Sequence, residues 1–139
     1  MHIGFRLRQS LSLRRSPAQA GRDGERVAAL LYLCSGYRVL GRNVRVGGTQ
    51  LDLVCRRGNQ LVLVEVKRRR TSARGGARQA LGYDQARRLL RAGMQLRGRY
   101  SWVTGMRVDL VAIDGWRVQI VRSAVDGDTH LSESERVML

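Results

Sequence analysis

The chain reads as a mixed α/β fold, a β-sheet flanked by helices, and three observations carry that reading. Apolar residues recur at helical spacing over Val27, Leu30, Leu31 and Cys34, and again between Tyr83 and Leu96 with arginines on the opposite side. Short runs rich in Val and Leu lie between and after these segments: Leu51–Arg56, Leu61–Lys67, Val108–Ile113 and Trp116–Val121. Glycine-containing turns separate the runs, and the order helix, three strands, helix, two strands places helices against both faces of one sheet.

Each element has a local reason. Ser16-Pro17-Ala18-Gln19 offers an N-cap, a proline at the first helical position and a Gln at the third; Gly21 and Gly24 could delay regular helix to near Asp23. Gly36 is placed to stop that helix. Tyr37 to Arg45 predicts a first strand interrupted by Gly41, and Val46-Gly47-Gly48 a turn. Leu51–Arg56 and Leu61–Lys67 then form a hairpin around Arg57-Gly58-Asn59. The second helix is expected over Arg78 to Arg97, buried through Tyr83, Ala86, Leu89, Leu90, Gly93, Met94 and Leu96. Tyr100–Val103 reads as a short connection or edge strand. Asp114-Gly115 predicts a last hairpin with residue 113 opposite residue 116, and Asp109 on its apolar face needs an ion-pair partner, most simply an arginine. At 139 residues the chain is one domain. That domain is expected over 16–125, between a basic arm (1–15) and a polar tail (126–139) in which Ser132-Glu133-Ser134-Glu135 could cap a short helix.

The central hairpin carries three residues foreign to a plain core strand: Asp52, Glu65 and Lys67. Glu65 and Lys67 are two apart and share a face. A two-residue turn at Arg57-Gly58 makes Asp52 a diagonal neighbour of Glu65; one at Gly58-Asn59 sets them directly opposite. A three-residue loop without a bulge would send Asp52 to the other face. Two carboxylates about 4 Å apart repel by about 4 kcal/mol at an effective dielectric near 20. Such a pair raises one pKa or binds a cation, and carboxylate oxygens suit Mg²⁺ or Mn²⁺. An adjacent ammonium can position water or offset charge on a transferring phosphoryl group.

The charge balance points the same way. The net charge is +15 and the pI about 11.6, which calls for a polyanionic partner. Nucleic acid, DNA first, fits better than a membrane surface, because no stretch approaches transmembrane length. Of 26 basic residues all but Lys67 are arginine. GC-rich coding accounts for that bias, and Lys67 stands out against it, since a compact ammonium and a planar guanidinium are not interchangeable beside a phosphate. Arg68, Arg69 and Arg70, with Arg87, Arg88 and Arg91 on the second helix, are the expected phosphate contacts. Cys34 and Cys55 form no zinc spacing and read as buried free thiols of a reducing compartment, so a cytoplasmic location is expected. A homodimer is left open.

Asp52, twelve intervening residues, then Glu65-Val66-Lys67 resembles the PD-(D/E)xK nuclease signature. Gly24-Glu25-Arg26-Val27-Ala28, Gly36-Tyr37, Arg42-Asn43, Leu51-Asp52-Leu53, Val64-Glu65-Val66-Lys67 and Arg107-Val108-Asp109, in that order, resemble the YraN-like family of predicted endonucleases. The likeness runs from Gly21 to Val125. It implies a restriction-endonuclease-like core and a Mg²⁺-dependent endonuclease acting on DNA, including branched or structured DNA. Asp52 and Glu65 would hold the metal and Lys67 would serve the attacking water. The resemblance also implies Glu25 as a third carboxylate at the metal, whereas the residues alone read it as a charge favoured by the helix dipole. Two positions depart from the family pattern. Gln50 stands where a glutamate is usual, which weakens the charge of the site, and Gln85 stands near a usual lysine, as a contact to water or phosphate. A catalytically weak nucleic-acid-binding module on the same fold is the alternative.

Overall fold

The structure, a computed structural model, describes residues 17–69, 81–115 and 117–126. The expected arm, the terminal capping box, Ser16, Arg70, Arg78 and Trp116 lie outside those residues. Helix α1 (Pro17–Cys34) leads into β1 (Arg38–Val46), β2 (Thr49–Arg57) and β3 (Gln60–Arg69). Helix α2 (Tyr83–Arg97) and strands β4 (Gly105–Asp114) and β5 (Arg117–Asp126) follow. The five strands lie in the sheet in sequence order. Only β3 and β4 run parallel, and α2 is their crossover. The outcome is a mixed α/β fold with a five-stranded mixed sheet and a helix on each face.

Alternation along the strands divides the core in two. Leu53, Cys55, Val62, Val64 and Val111 pack with Ala28 and Tyr32 of α1. Leu61, Leu63, Val108 and Leu110 pack with Leu89, Ala92 and Leu96 of α2. The side of α1 that reaches the sheet is Gly24, Ala28 and Tyr32, not the Val27–Leu30–Cys34 stripe. Leu30 is 61% exposed, and Val27 and Cys34 are exposed as well. Gly24 lets the start of the helix come close: a Cβ there would already touch Ile113, Arg68 and Val66 at 3.4–3.5 Å. Cys34 is therefore not a buried thiol. Cys55 is, and burial, reinforced by the charge of Asp109, pushes it up to about 12.

The end of α1 fixes the start of the sheet. Gly36, at φ 87°, lets Tyr37 N–H reach Tyr32 O (3.0 Å) and Gly36 N–H reach Leu33 O (3.2 Å). This is a Schellman closure, with its apolar contact made by the Tyr32 and Tyr37 rings at 5.0 Å. In α2 the helix begins at Tyr83, the described Leu81 and Gly82 before it are not helical while Arg78 lies outside the described residues, and Tyr83 and Met94 are exposed. Gly93 allows the remaining close approach, since a Cβ there would meet Met106 Sδ and, at 2.6 Å, Leu63 Cδ1.

Asp109, fully buried, finds its arginine two residues away on the same face. Arg107 Nε donates to Asp109 Oδ1 at 2.9 Å and Arg107 NH2 to Oδ2 at 3.2 Å. Tyr32 O–H donates to Oδ2 at 2.7 Å and Ser123 N–H to Oδ1 at 2.9 Å. The β4–β5 register differs from expectation here. Ile113 faces Val118, not residue 116, because the turn lies one residue later; faces are kept, since the slip is even. Further along, Arg122, Ser123 and Ala124 together oppose the single residue Asp109. Ser123 takes φ 50°, and its amide, freed from the ladder, is the one Asp109 accepts.

Gly93→Ala tests the close packing of α2. Helix propensity alone would favour alanine by about 0.5–1 kcal/mol. Overpacking against Leu63 and Met106 costs about 1–3 kcal/mol, so net destabilisation in urea unfolding is expected. A variant as stable as the parent would contradict the packing described.

Candidate active site

The β2–β3 hairpin turns at Gly58-Asn59, with Gly58 at φ 58°, the first-position glycine of a type II′ loop. The register is Arg57 opposite Gln60 through Leu53 opposite Val64, and there the ladder stops. β2 stays paired to β1 as far as Thr49, and β3 to β4 as far as Arg69. The sheet therefore opens between β2 and β3 just beyond Leu53. At the mouth of that opening Asp52 stands across from Glu65, as the second of the two turn registers requires.

Asp52 Oδ2 accepts the N–H of Val66 at 2.8 Å, a bond that takes the place of the next ladder rung. Its carboxyl also shares a hydrogen bond with that of Glu65. Glu65 Oε1 accepts from Gln85 Nε2 of α2 at 2.6 Å and lies 3.1 Å from Lys67 Nζ. The Glu65 side chain is 8% exposed and that of Lys67 is 31%, so the pair reaches from the core to the surface. Burial, then the charge of Glu65, then that of Glu25 push Asp52 up to about 7, against the Val66 amide, which pulls it down.

Glu25 belongs to α1, on the opposite face of the sheet, yet its charge bears on Asp52 through the opening. The contact of Gly24 with Val66 and Arg68 sets it there. Its Oε2 is buried and has no hydrogen-bond partner. A buried, unsatisfied carboxylate oxygen beside two further carboxyls is costly unless a proton or a cation joins it. Among the described residues no group of three or more His, Cys, Asp and Glu side chains is placed to hold a metal ion by itself. The donor set that does fit is the Asp52–Glu65 pair, since Mg²⁺ commonly binds one or two carboxylates and keeps several waters.

The other expected residues divide. Gln85 joins the site by holding Glu65. Gln50 does not: it is exposed and its Nε2 donates to Asn43 Oδ1 at 3.0 Å. Arg68 is exposed on the α1 face, away from Lys67 by strand alternation. The side chain of Arg69, and Arg70 entirely, lie outside the described residues. Arg87, Arg88 and Arg91 are exposed on α2. Arg87 lies over the Tyr83 ring at 5.7 Å, and Arg88 Nε donates to Asp84 O at 3.3 Å. Sequence reasoning missed the basic cluster around Tyr37 at the other end of the sheet, although Gly36-Tyr37 and Arg107-Val108-Asp109 were in view.

The model of the "Uncharacterised protein family UPF0102" matches residues 24–113, which include Glu25, Asp52, Glu65, Lys67 and Asp109. The chain belongs to this family. A UPF0102 protein of Anaeromyxobacter dehalogenans is 39% identical over 113 residues, covering 78% of this chain and 84% of the relative. One from Anaeromyxobacter sp. strain Fw109-5 is 35% identical over 113 residues (78% and 85%). One from Janthinobacterium sp. strain Marseille is 32% identical over 122 residues (88% and 99%). Among solved structures, a protein of unknown function from Silicibacter pomeroyi matches at TM-score 0.40 and 16% identity, covering 89% of this chain and 81% of its own. No described helix of this UPF0102 protein is long and apolar enough to cross a membrane.

Asp52 makes a prediction with a definite sign. Its native pKa near 7 exceeds the ordinary 3.8, so the native state binds the extra proton across that window. Stability associated with Asp52 is complete below the lower value and is lost as pH rises through the upper one. In EDTA, the melting temperature of the parent is expected to fall relative to that of Asp52→Asn as pH rises from about 4 to about 8. A constant difference between the two would contradict the perturbed pair.

Proposed function

We propose that this protein is a metal-dependent endonuclease, hydrolysing DNA phosphodiester bonds on a restriction-endonuclease-like core. The observation that carries the proposal is the meeting of Asp52, Glu65 and Lys67 at the open end of β2 and β3. Two carboxyls within hydrogen-bond reach and one ammonium 3.1 Å from Glu65 form a partly buried site in a chain of charge +15.

Asp52 and Glu65 would hold Mg²⁺ or Mn²⁺, with Glu25 adding a third charge from the far side of the sheet. Bound there, the cation supplies a Lewis acid for the scissile phosphate and offsets its developing charge. The protein's own residues do the rest. Gln85 and Lys67 fix Glu65 from two directions, so its carboxylate is held before substrate arrives. Lys67 is exposed enough to orient a water on the phosphorus and to face the charge of the pentavalent transition state. Arg87, Arg88 and Arg91 line α2 as contacts to the strand, and they set position, not sequence.

A nucleic-acid-binding module on the same fold is the second reading. What favours it is Gln50, which points its amide at Asn43 and adds no charge to the site. Linear, nicked and four-way-junction DNA incubated with Mn²⁺ or with EDTA separates the two. The endonuclease reading expects products only with metal, and rates lower by about 10²-fold or more in Lys67→Ala and Asp52→Asn. Binding without products, unchanged in both variants, would favour the module.

A further inference from the structure

At the other end of the sheet, five strand residues beyond Asp52, arginines crowd one small region. Arg38 of β1 faces Arg56 of β2 directly across the ladder. On the α1 side, three guanidinium groups surround Tyr37. Arg57 lies over its ring at 5.1 Å, Arg107 at 5.4 Å and Arg122 at 5.6 Å. The Tyr37 hydroxyl accepts from Arg122 NH1 at 2.7 Å and from Arg107 NH2. Of these three arginines only Arg107 holds an ion pair with a described carboxylate, that of Asp109.

The cluster has two layers with different work. Arg107, Asp109, Tyr32 and Ser123 N–H form the inner one, closed by their mutual bonds, and they explain the β4–β5 irregularity. Arg57 and Arg122 form the outer one. Both are exposed, and both are held over the buried Tyr37 ring. Three guanidinium groups gathered on one ring repel one another in the isolated chain, and Asp109 offsets the charge of Arg107. An external anion relieves that repulsion, and the guanidinium fork matches the oxygens of a phosphate bidentately. Tyr37 is built to keep them apart and aimed. Burial works to raise its pKa, yet the hydrogen bonds from Arg107 and Arg57 and the nearby arginine charges outweigh it and lower the value.

We infer that Arg57 and Arg122, braced on Tyr37, form a second phosphate-contacting surface for DNA, separate from the Asp52–Glu65 site. Arg57 lies five extended residues, about 17 Å, along β2 from Asp52, and on the α1 side of the sheet, whereas Glu65 is held by Gln85 of α2. The two surfaces therefore face different sides of the sheet, and the arginine surface adds its phosphate contacts independently of the acidic site. The inference deepens the nucleic-acid reading above and rests on it for the identity of the polymer.

The test is fluorescence anisotropy with a labelled DNA duplex in EDTA, where no cleavage occurs, from about 50 to about 200 mM salt. Arg57→Gln alone leaves the Arg122 bond to Tyr37 in place, and it is expected to shallow the slope of log K against log salt by about 0.9. Arg57→Gln with Arg122→Gln should shallow it by about 1.8, and lysine at both positions should restore it. An unchanged slope in the single and double variants would overturn the inference, as would a loss that lysine does not restore. Cleavage in Mn²⁺ is read separately on the same proteins. Absence of products would count against the endonuclease, while the salt slope would still decide the Arg57–Arg122 surface.

Discussion

One hydrogen bond, from the amide of Val66 to the carboxylate of Asp52, does most to shape this molecule. Along β3 every second amide points toward β2, and Val66 is the first such amide beyond the last registered pair. An unpaired amide at this depth would cost about 1–3 kcal/mol. Asp52 supplies the acceptor and so lets two hairpin-bonded strands part without leaving a donor unsatisfied. The parted strands make an opening, and three acids from three elements bear on it: Asp52 from β2, Glu65 from β3 and Glu25 from α1. The same bond that permits the opening also fixes the acid most strongly perturbed by it.

Asp109 repeats the device at the other side of the sheet. There the irregularity is in β5, and the freed amide is that of Ser123. The two acids differ in what else they meet. Asp109 is saturated by Arg107, Tyr32 and Ser123, so it is closed to any ligand and serves the fold. Asp52 meets other carboxyls, so its environment is unbalanced toward negative charge and invites a proton or a cation. Fold and site thus use one kind of contact, and the neighbours decide which it becomes.

Much of this was legible in the residues. Strand alternation put Asp52 and Glu65 on one face for either two-residue turn, because the two registers differ by an even slip; the choice of Gly58-Asn59, which sets them directly opposite, came from the structure. The partner of Asp109 was legible as an arginine, and Arg107, two residues away, shares its face. Helix faces were less legible. In α1 the bulky apolar residues suggested the buried stripe, but packing distance selected Gly24, Ala28 and Tyr32 instead. In α2, Tyr83 and Met94 were expected inside and lie outside for the same reason: Gly93 and Ala92 allow the helix to settle closer than large side chains would. Hydrophobicity alone does not choose the face; Gly24 and Gly93 mark where each helix comes closest to the sheet, and the large residues beside them are placed by that approach. The Tyr37 cluster was illegible because it joins the residue just before β1 to residues of β2, β4 and β5 whose spacing in sequence carries no period.

The central proposal is that the carboxyls of Asp52 and Glu65 together bind a cation, with the charge of Glu25 bearing on them from α1. Titrating Mn²⁺ into ¹⁵N-labelled protein and following paramagnetic broadening, residue by residue, tests it most directly. The account predicts that substoichiometric Mn²⁺ first broadens the Val66 amide, the Gln85 side-chain amide and the backbone of Glu25, Asp52 and Glu65. Broadening confined to acids elsewhere in the chain, with these signals untouched, would contradict it.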